Sequence, residues 1–280
     1  MPLLHAERDA RGAPACAVAA HPPQRGAHPV EWLCEFLGTA ILVGLGLSVV
    51  VATSGSASPI HTWPLANRLL INGLWFAGVG SLVAVSPIGR RSGAHLNPIV
   101  TLAFWTQGKV HRHDLAGYLI AQLAGGIAGA ALLLAVWQGQ ARSVDVGATV
   151  PGGGFGPLQA VLLEAGMSAV EVLVILGMTS AARRARWTPL VLWLVNATLV
   201  WRFAGCTGTS LNPARSLGPA LLAPALDVYW VYVVGPLLGM LVAVAVFALA
   251  PRVEVLTTKL FHDPTYPSSM ASTLPVADPH

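Results

Sequence analysis

Six apolar runs, each near the roughly 20-residue length that crosses a bilayer as a helix, leave this chain few ways to fold. They fall at about 31–52, 66–87, 114–137, 158–180, 188–205 and 228–250. A backbone immersed in lipid has to satisfy its own hydrogen bonds, so such runs become helices. Composition agrees. Of 280 residues, 54% are hydrophobic and only 10% charged, where soluble domains carry about 25% charged residues. An all-α integral membrane protein is expected, surrounded by membrane lipid.

Basic residues suggest an orientation. Arg8, Arg11 and Arg25 precede the first run, and Arg90, Arg91, Lys109 and Arg112 lie between the second and third. Arg183, Arg184 and Arg186 lie between the fourth and fifth, and Arg252 and Lys259 follow the sixth. Only Arg68, Arg142, Arg202 and Arg215 fall on the other side. The positive-inside rule then puts both termini in the cytoplasm, consistent with an even number of spans in a plasma (inner) membrane. The net charge of +4 is spread over short loops, so nucleic acid is not an expected partner. Cys16, Cys34 and Cys206 form neither metal spacing nor a disulfide framework. Residues 1–30 and 251–280 are polar and rich in Pro, His or Ser, and read as flexible tails around a membrane domain at 31–250.

Two apolar pieces are too short to span: LNPIVTLAFW (96–105) and LNPARSLGPALL (211–222). They read as re-entrant half-helices. Each follows the second span of a three-span half, the halves being about 31–137 and 158–250. Three spans per half is an odd number, so the halves have opposite topology, an inverted repeat. Proline is tolerated at a first helical turn and Asn is a good cap before it. Asn97-Pro98 and Asn212-Pro213 therefore read as two helices that start in mid-membrane. Their positive dipole ends meet there and raise the energy of any cation, a proton included. The two Asn amides can offer N–H donors to a passing oxygen. Arg215 lies three residues into the second half-helix. A charge there is costly unless it faces water or a partner, so it reads as lining an aqueous path, with a headgroup arginine as the alternative.

These residues resemble the major intrinsic protein family, the aquaporins and glycerol facilitators. SGAHLNPIVTLAFW is similar to its first signature and TSLNPARSLGPA to its second, with EFLGT, AQLAGGIAGA, VLLEAG and YWVYVVGPLLG as supporting matches. The resemblance implies an aquaporin-like fold of six spans plus two half-helices. It also implies a homotetramer with one pore per subunit, passing water or small neutral solutes by facilitated diffusion without a cofactor. By position, the pore motifs fall on Asn97, Pro98, Ile99 and on Asn212, Pro213, Ala214. The filter arginine falls on Arg215, with Thr209 and Val200 as further filter positions. The remaining filter position is Leu74 or Trp75, because IGRR (88–91) looks like an insertion. Glu35, Glu164 and His95 match residues that brace the re-entrant loops.

The first motif reads NPI rather than NPA, so Ile99 either narrows the pore or only repacks. Val200 stands where water-selective members usually carry His, which widens the constriction and makes one wall apolar. With Trp75 as a corner the filter resembles that of nodulin-like intrinsic proteins and related bacterial channels. Glycerol, boric acid, arsenous acid, urea and ammonia are then candidate solutes beside water, and a water-selective channel is the alternative. Gly125 and Gly129 form a small-xxx-small pair that reads as close helix packing. His111, His113 and Asp114 read as a solvated loop capping the third span rather than a metal site. No nucleophile–base–orienter set is visible, so an enzyme is not expected. Two readings of another class stay open: a coupled secondary transporter using Glu35 or Glu164, and a non-conducting structural membrane protein.

Overall fold

A computed structural model describes residues 26–250, 253–266 and 268–274. In chain order the helices are α1 (Pro29–Ser54), α2 (Leu65–Val85), α3 (Pro87–Ser92), α4 (Pro98–Thr106) and α5 (Arg112–Arg142). After a short 3-10 turn at Asp145–Gly147 come α6 (Pro157–Thr179), α7 (Ala182–Ala185), α8 (Thr188–Thr207), α9 (Pro213–Leu222) and α10 (Val231–Ala248). Six of them, α1, α2, α5, α6, α8 and the stretch ending in α10, are long and apolar enough to cross a membrane. No strand is present among the described residues. The six spans and two half-helices expected from the sequence are the six long helices plus α4 and α9.

The packing has the symmetry of an inverted repeat. The helix α1 packs on α5, its counterpart α6 packs on α10, and α2 packs on α8 across the joint between halves. The half-helices cross over: α9 lies on α5, and α4 touches α10. Small residues make these approaches possible. A Cβ on Gly125 or Gly129 of α5 would collide with the Phe36 or Ala40 carbonyl of α1. The pair read as a packing motif is thus the α1–α5 seam. Many large apolar side chains, such as Leu82, Ile120, Leu158 and Leu249, are more than 60% exposed. In a spanning bundle that exposure is the lipid-facing or subunit-facing surface.

The bundle has two ends. At the terminal face α1 begins and α10 finishes; the loop face carries Asp145–Gly147 and the start of α6. The IGRR stretch, expected to be an insertion, lies in α3 on the terminal face, where Arg91 Nε donates to Glu31 Oε1 at 3.0 Å. Asp114 accepts from Trp32 Nε1 at 3.0 Å and pairs with His28 at 2.8 Å, tying the start of α5 to the start of α1.

Within 251–280, expected to be a flexible tail, the described residues are packed against the bundle. Residues 253–266 and 268–274 form a strap across the terminal face, with Val255, Leu260, Met270 and Leu274 buried. Backbone bonds hold it: Leu256 N–H to the Thr179 carbonyl at 2.9 Å, Leu260 N–H to that of Gly93 at 3.0 Å, and Ala271 N–H to that of Lys109 at 3.3 Å. Arg90 of α3 bonds Asp263 at 2.9 Å and lies over the Phe261 and Tyr266 rings. Lys109 pairs with Glu254 at 2.7 Å. Its composition is poor in core residues, but the strap packs because the spans supply acceptors and an apolar floor. The N-terminal tail read over 1–30 lies, up to residue 25, outside the described residues.

Candidate functional site: the junction of two half-helices

The chain approaches each half-helix through a backbone that helices and strands do not use. Ala94 and Leu96 before α4, and Thr209 and Leu211 before α9, all have φ between 48° and 58°. Non-glycine residues occupy this left-handed region at a cost and need surrounding structure to hold them there. One buried carboxylate does so in each half. Glu35 accepts from His95 N–H at 3.0 Å, Leu96 N–H at 2.7 Å, Ser92 Oγ at 2.7 Å and Gln122 Nε2 at 2.8 Å. Glu164 accepts from Ser210 N–H at 2.9 Å, Leu211 N–H at 2.8 Å and Thr207 Oγ1 at 2.8 Å. A tyrosine completes each brace: Tyr118 donates to the Ser92 carbonyl at 2.7 Å and Tyr232 to that of Thr207 at 2.8 Å.

With their loops fixed, the two Asn-Pro pairs meet. Asn97 Oδ1 accepts from Ile99 N–H at 2.9 Å, and Asn212 Oδ1 accepts from Ala214 N–H at 2.9 Å and Arg215 N–H at 3.3 Å. Each thus caps its own half-helix. Each also reaches across the joint: Asn97 Nδ2 donates to the Leu211 carbonyl at 3.0 Å and Asn212 Nδ2 to that of Leu96 at 2.7 Å. A primary amide has two N–H donors, so one remains on each Asn beside the cavity that both line. Pro98, Pro213 and Ala214 are buried at the helix starts. Ile99 is 2% exposed and packs in the core with Phe104 and Val100. It lies outside the cavity lining, and Asn97 keeps the bonding pattern of Asn212, so the larger side chain repacks rather than narrows the path.

Two cavities run from this junction toward the two faces. The terminal-face vestibule is lined by Asn97, Asn212, Val100, His95, Glu171 and Asn196 among others, and reaches Leu260 of the strap. The loop-face vestibule is lined by Arg215, Gly147, Asn72 and Leu47 among others. Phe76, Val200 and Thr209 line both. These three side chains are therefore common to both vestibules, and Arg215 borders the loop-face one.

Arg215 is 7% exposed. Its Nη1 donates to the Gly147 carbonyl at 3.1 Å, and its guanidinium carbon lies 5.7 Å from the Phe76 ring centroid. That carbonyl is presented by a turn in which Asp145 and Val146 have φ near 50°. Its Nε has no acceptor among the described residues. An arginine fixed in this way presents donors to the path and opposes cations.

Leu74 and Trp75, the two candidates for the span-2 filter corner, line neither cavity, whereas Phe76 lines both. Leu74 and Trp75 are 42% and 48% exposed, and Trp75 Nε1 donates to the Leu45 carbonyl on the outer side of α1 at 3.0 Å. A step of one residue turns a side chain by about 100° on a helix, and Phe76 shares the inward face of Asn72 and Gly80. Trp75, the residue behind the likeness to nodulin-like proteins, lines neither cavity. Those small and polar neighbours at four-residue spacing were the signal that locates Phe76.

Both ring nitrogens of His95 have partners. Its Nδ1 lies 3.1 Å from Thr101 Oγ1 and its Nε2 lies 3.0 Å from the Thr258 carbonyl. A carbonyl can only accept, so Nε2 carries the proton of the neutral ring. His111 caps α5 by accepting from His113 N–H.

Six spans in an inverted repeat, with two Asn-capped half-helices meeting beside a lined path, define a membrane-channel class of fold. The description "Major intrinsic protein" matches residues 27–247, and the chain belongs to that family. It is 34% identical over 229 residues to a probable aquaporin of Archaeoglobus fulgidus, covering 76% of this chain and 93% of that protein. It is 33% identical over 216 residues to a glycerol uptake facilitator-like protein of Lactiplantibacillus plantarum, covering 76% and 94%. The solved aquaglyceroporin of Plasmodium falciparum shares the fold, with a TM-score of 0.66 at 22% identity over 80% of this chain and 97% of that one.

Proposed function

We propose that this family member is a passive channel for water and small uncharged solutes such as glycerol, urea and boric acid. One observation supports the reading: two vestibules share the lining side chains Phe76, Val200 and Thr209, with the Arg215 guanidinium beside Phe76. Two apolar walls facing a fixed donor suit a solute with a carbon or central-atom face and hydroxyl or amide groups. Arg215 and the converging N-termini of α4 and α9 oppose cations, so protons do not follow the water. Asn97 and Asn212 supply the donors that orient each solute oxygen at the junction. Relatives named as an aquaporin and a glycerol facilitator support both kinds of cargo.

The same reading extends to the assembly and its placement. The exposed apolar surface of the spans suits a homotetramer in the plasma membrane, each subunit with its own pore. The excess of Arg and Lys at the terminal face supports a cytoplasmic location for that face. The test is light scattering by proteoliposomes under water, glycerol, urea and boric acid gradients. Flux well above that of empty liposomes, unaffected by collapsing a proton gradient, is expected. Dependence on the gradient would favour a coupled transporter, and no flux a structural role.

A further inference from the structure

Glu171 stands two helical turns beyond Glu164 on α6, yet the two carboxylates are used differently. Glu164 is occupied by three donors from the re-entrant loop and its brace. Glu171 receives one, Asn196 Nδ2 of α8 donating to Oε1 at 2.8 Å. Its second oxygen, Oε2, has no donor among the described residues, and neither has Asn196 Oδ1. Glu171 is 7% exposed, and both side chains line the terminal-face vestibule with Asn97 and Asn212.

A pair that served only to tie α6 to α8 would be replaced by apolar side chains at little cost. Leaving two buried acceptors without donors costs free energy that an arriving donor restores. The vestibule thus has a donating wall, the free amide N–H groups of Asn97 and Asn212, and an accepting wall, Glu171 with Asn196. Water can use either wall singly. A larger neutral molecule with several O–H or N–H groups and an oxygen acceptor can engage both together.

We propose that Glu171 and Asn196 form a solute-binding subsite in the terminal-face vestibule, which takes small uncharged solutes carrying two or more O–H or N–H donors, the polyol and urea class. It rests on the channel reading and deepens it. The subsite concentrates such solutes next to the constriction and raises their flux relative to water.

The experiment is the ratio of glycerol to water permeability, and of urea to water, in proteoliposomes of wild type, Glu171→Leu, Glu171→Gln and Asn196→Val. Loss of a hydrogen bond to a charged group corresponds to a drop of about tenfold in the ratio for Glu171→Leu. A smaller drop is expected for Asn196→Val and an intermediate one for Glu171→Gln, which keeps an acceptor. Asn196→Val keeps the test decisive if Glu171→Leu does not assemble. A bracing role would move water and solute together and leave the ratio unchanged, and that result, or a ratio that rises, would overturn the subsite. Wild type that conducts nothing would instead defeat the channel reading.

Discussion

The two re-entrant segments are braced alike and finished differently. Ser92, His95, Leu96 and Asn97 in the first half stand where Thr207, Ser210, Leu211 and Asn212 stand in the second. Each set is held by one glutamate and one tyrosine at matching distances. Past the Asn-Pro the halves part. The first continues Ile99-Val100, both buried among apolar side chains; the second continues Ala214-Arg215, with the guanidinium beside Phe76. Symmetry builds the junction, and in the proposed channel the asymmetric Arg215 sets which side of it selects.

The largest effect expected is on the braces. Glu35→Ala and Glu164→Ala each orphan several buried donors, a loss of at least about 3 kcal/mol. Thermal unfolding in detergent is expected to drop sharply for both. A mild Glu35 variant beside a severe Glu164 variant would break the symmetry energetically, and would point to Gln122 as a substitute. Next is the asymmetric residue. Arg215→Val is expected to raise proton or cation leak about tenfold or more by removing the charge that opposes cations. Val100→Thr, at the matching place in the other half, is expected to leave conductance near that of wild type. Equal effects would mean that Arg215 selects no more than its counterpart.

The mouths differ as well, because among the described residues only the terminal face carries a strap. Shortening the chain to end at residue 252 is expected to lower the thermal midpoint by a few degrees, consistent with loss of a peripheral packed segment. No change would mean that the strap contributes nothing to stability. The smallest effect is on pH. Burial pushes the Lys259 ammonium down to about 8 from its ordinary 10.5, so the docked strap holds fewer protons than a released one. Docking therefore strengthens as pH rises from about 8 toward 10.5. Asp263, held below the usual carboxylate range by Thr265 and Arg90, works at the other end: its contribution is present above its ordinary value and fades as pH falls through the lowered one. Protease cleavage of the strap at pH 7 and 9.5 reads the first effect, with slower cleavage relative to an unstructured control peptide expected at 9.5.

Much of this was legible in the chain. The six spans and both half-helices follow from run length and the repeated Leu-Asn-Pro. Those are signals that a bilayer makes strong. A bracing role for Glu35 and Glu164 came only from the family resemblance. Phe76 is not legible in the chain because which residue of α2 faces the path depends on helix phase, which the sequence alone leaves open between neighbouring positions. Glu171 was passed over although its spacing from Glu164 puts both on one face of α6; its partner Asn196 lies on another helix, and only the fold brings them together. The strap is not legible in its composition because part of its hold is backbone bonding to carbonyls of Thr179, Gly93 and Lys109, and its side-chain partners Arg90 and Lys109 lie far away in the sequence.

The measurement that bears most directly on the selective constriction is light scattering by proteoliposomes of wild type and Val200→His under water and glycerol gradients. An imidazole in place of Val200 narrows the site and removes an apolar wall. The account predicts fast glycerol-driven swelling in wild type that the His variant suppresses by about tenfold, roughly 1.4 kcal/mol of barrier, while water flux persists. Wild type that passes water but no glycerol, or a His variant with unchanged glycerol flux, would contradict it.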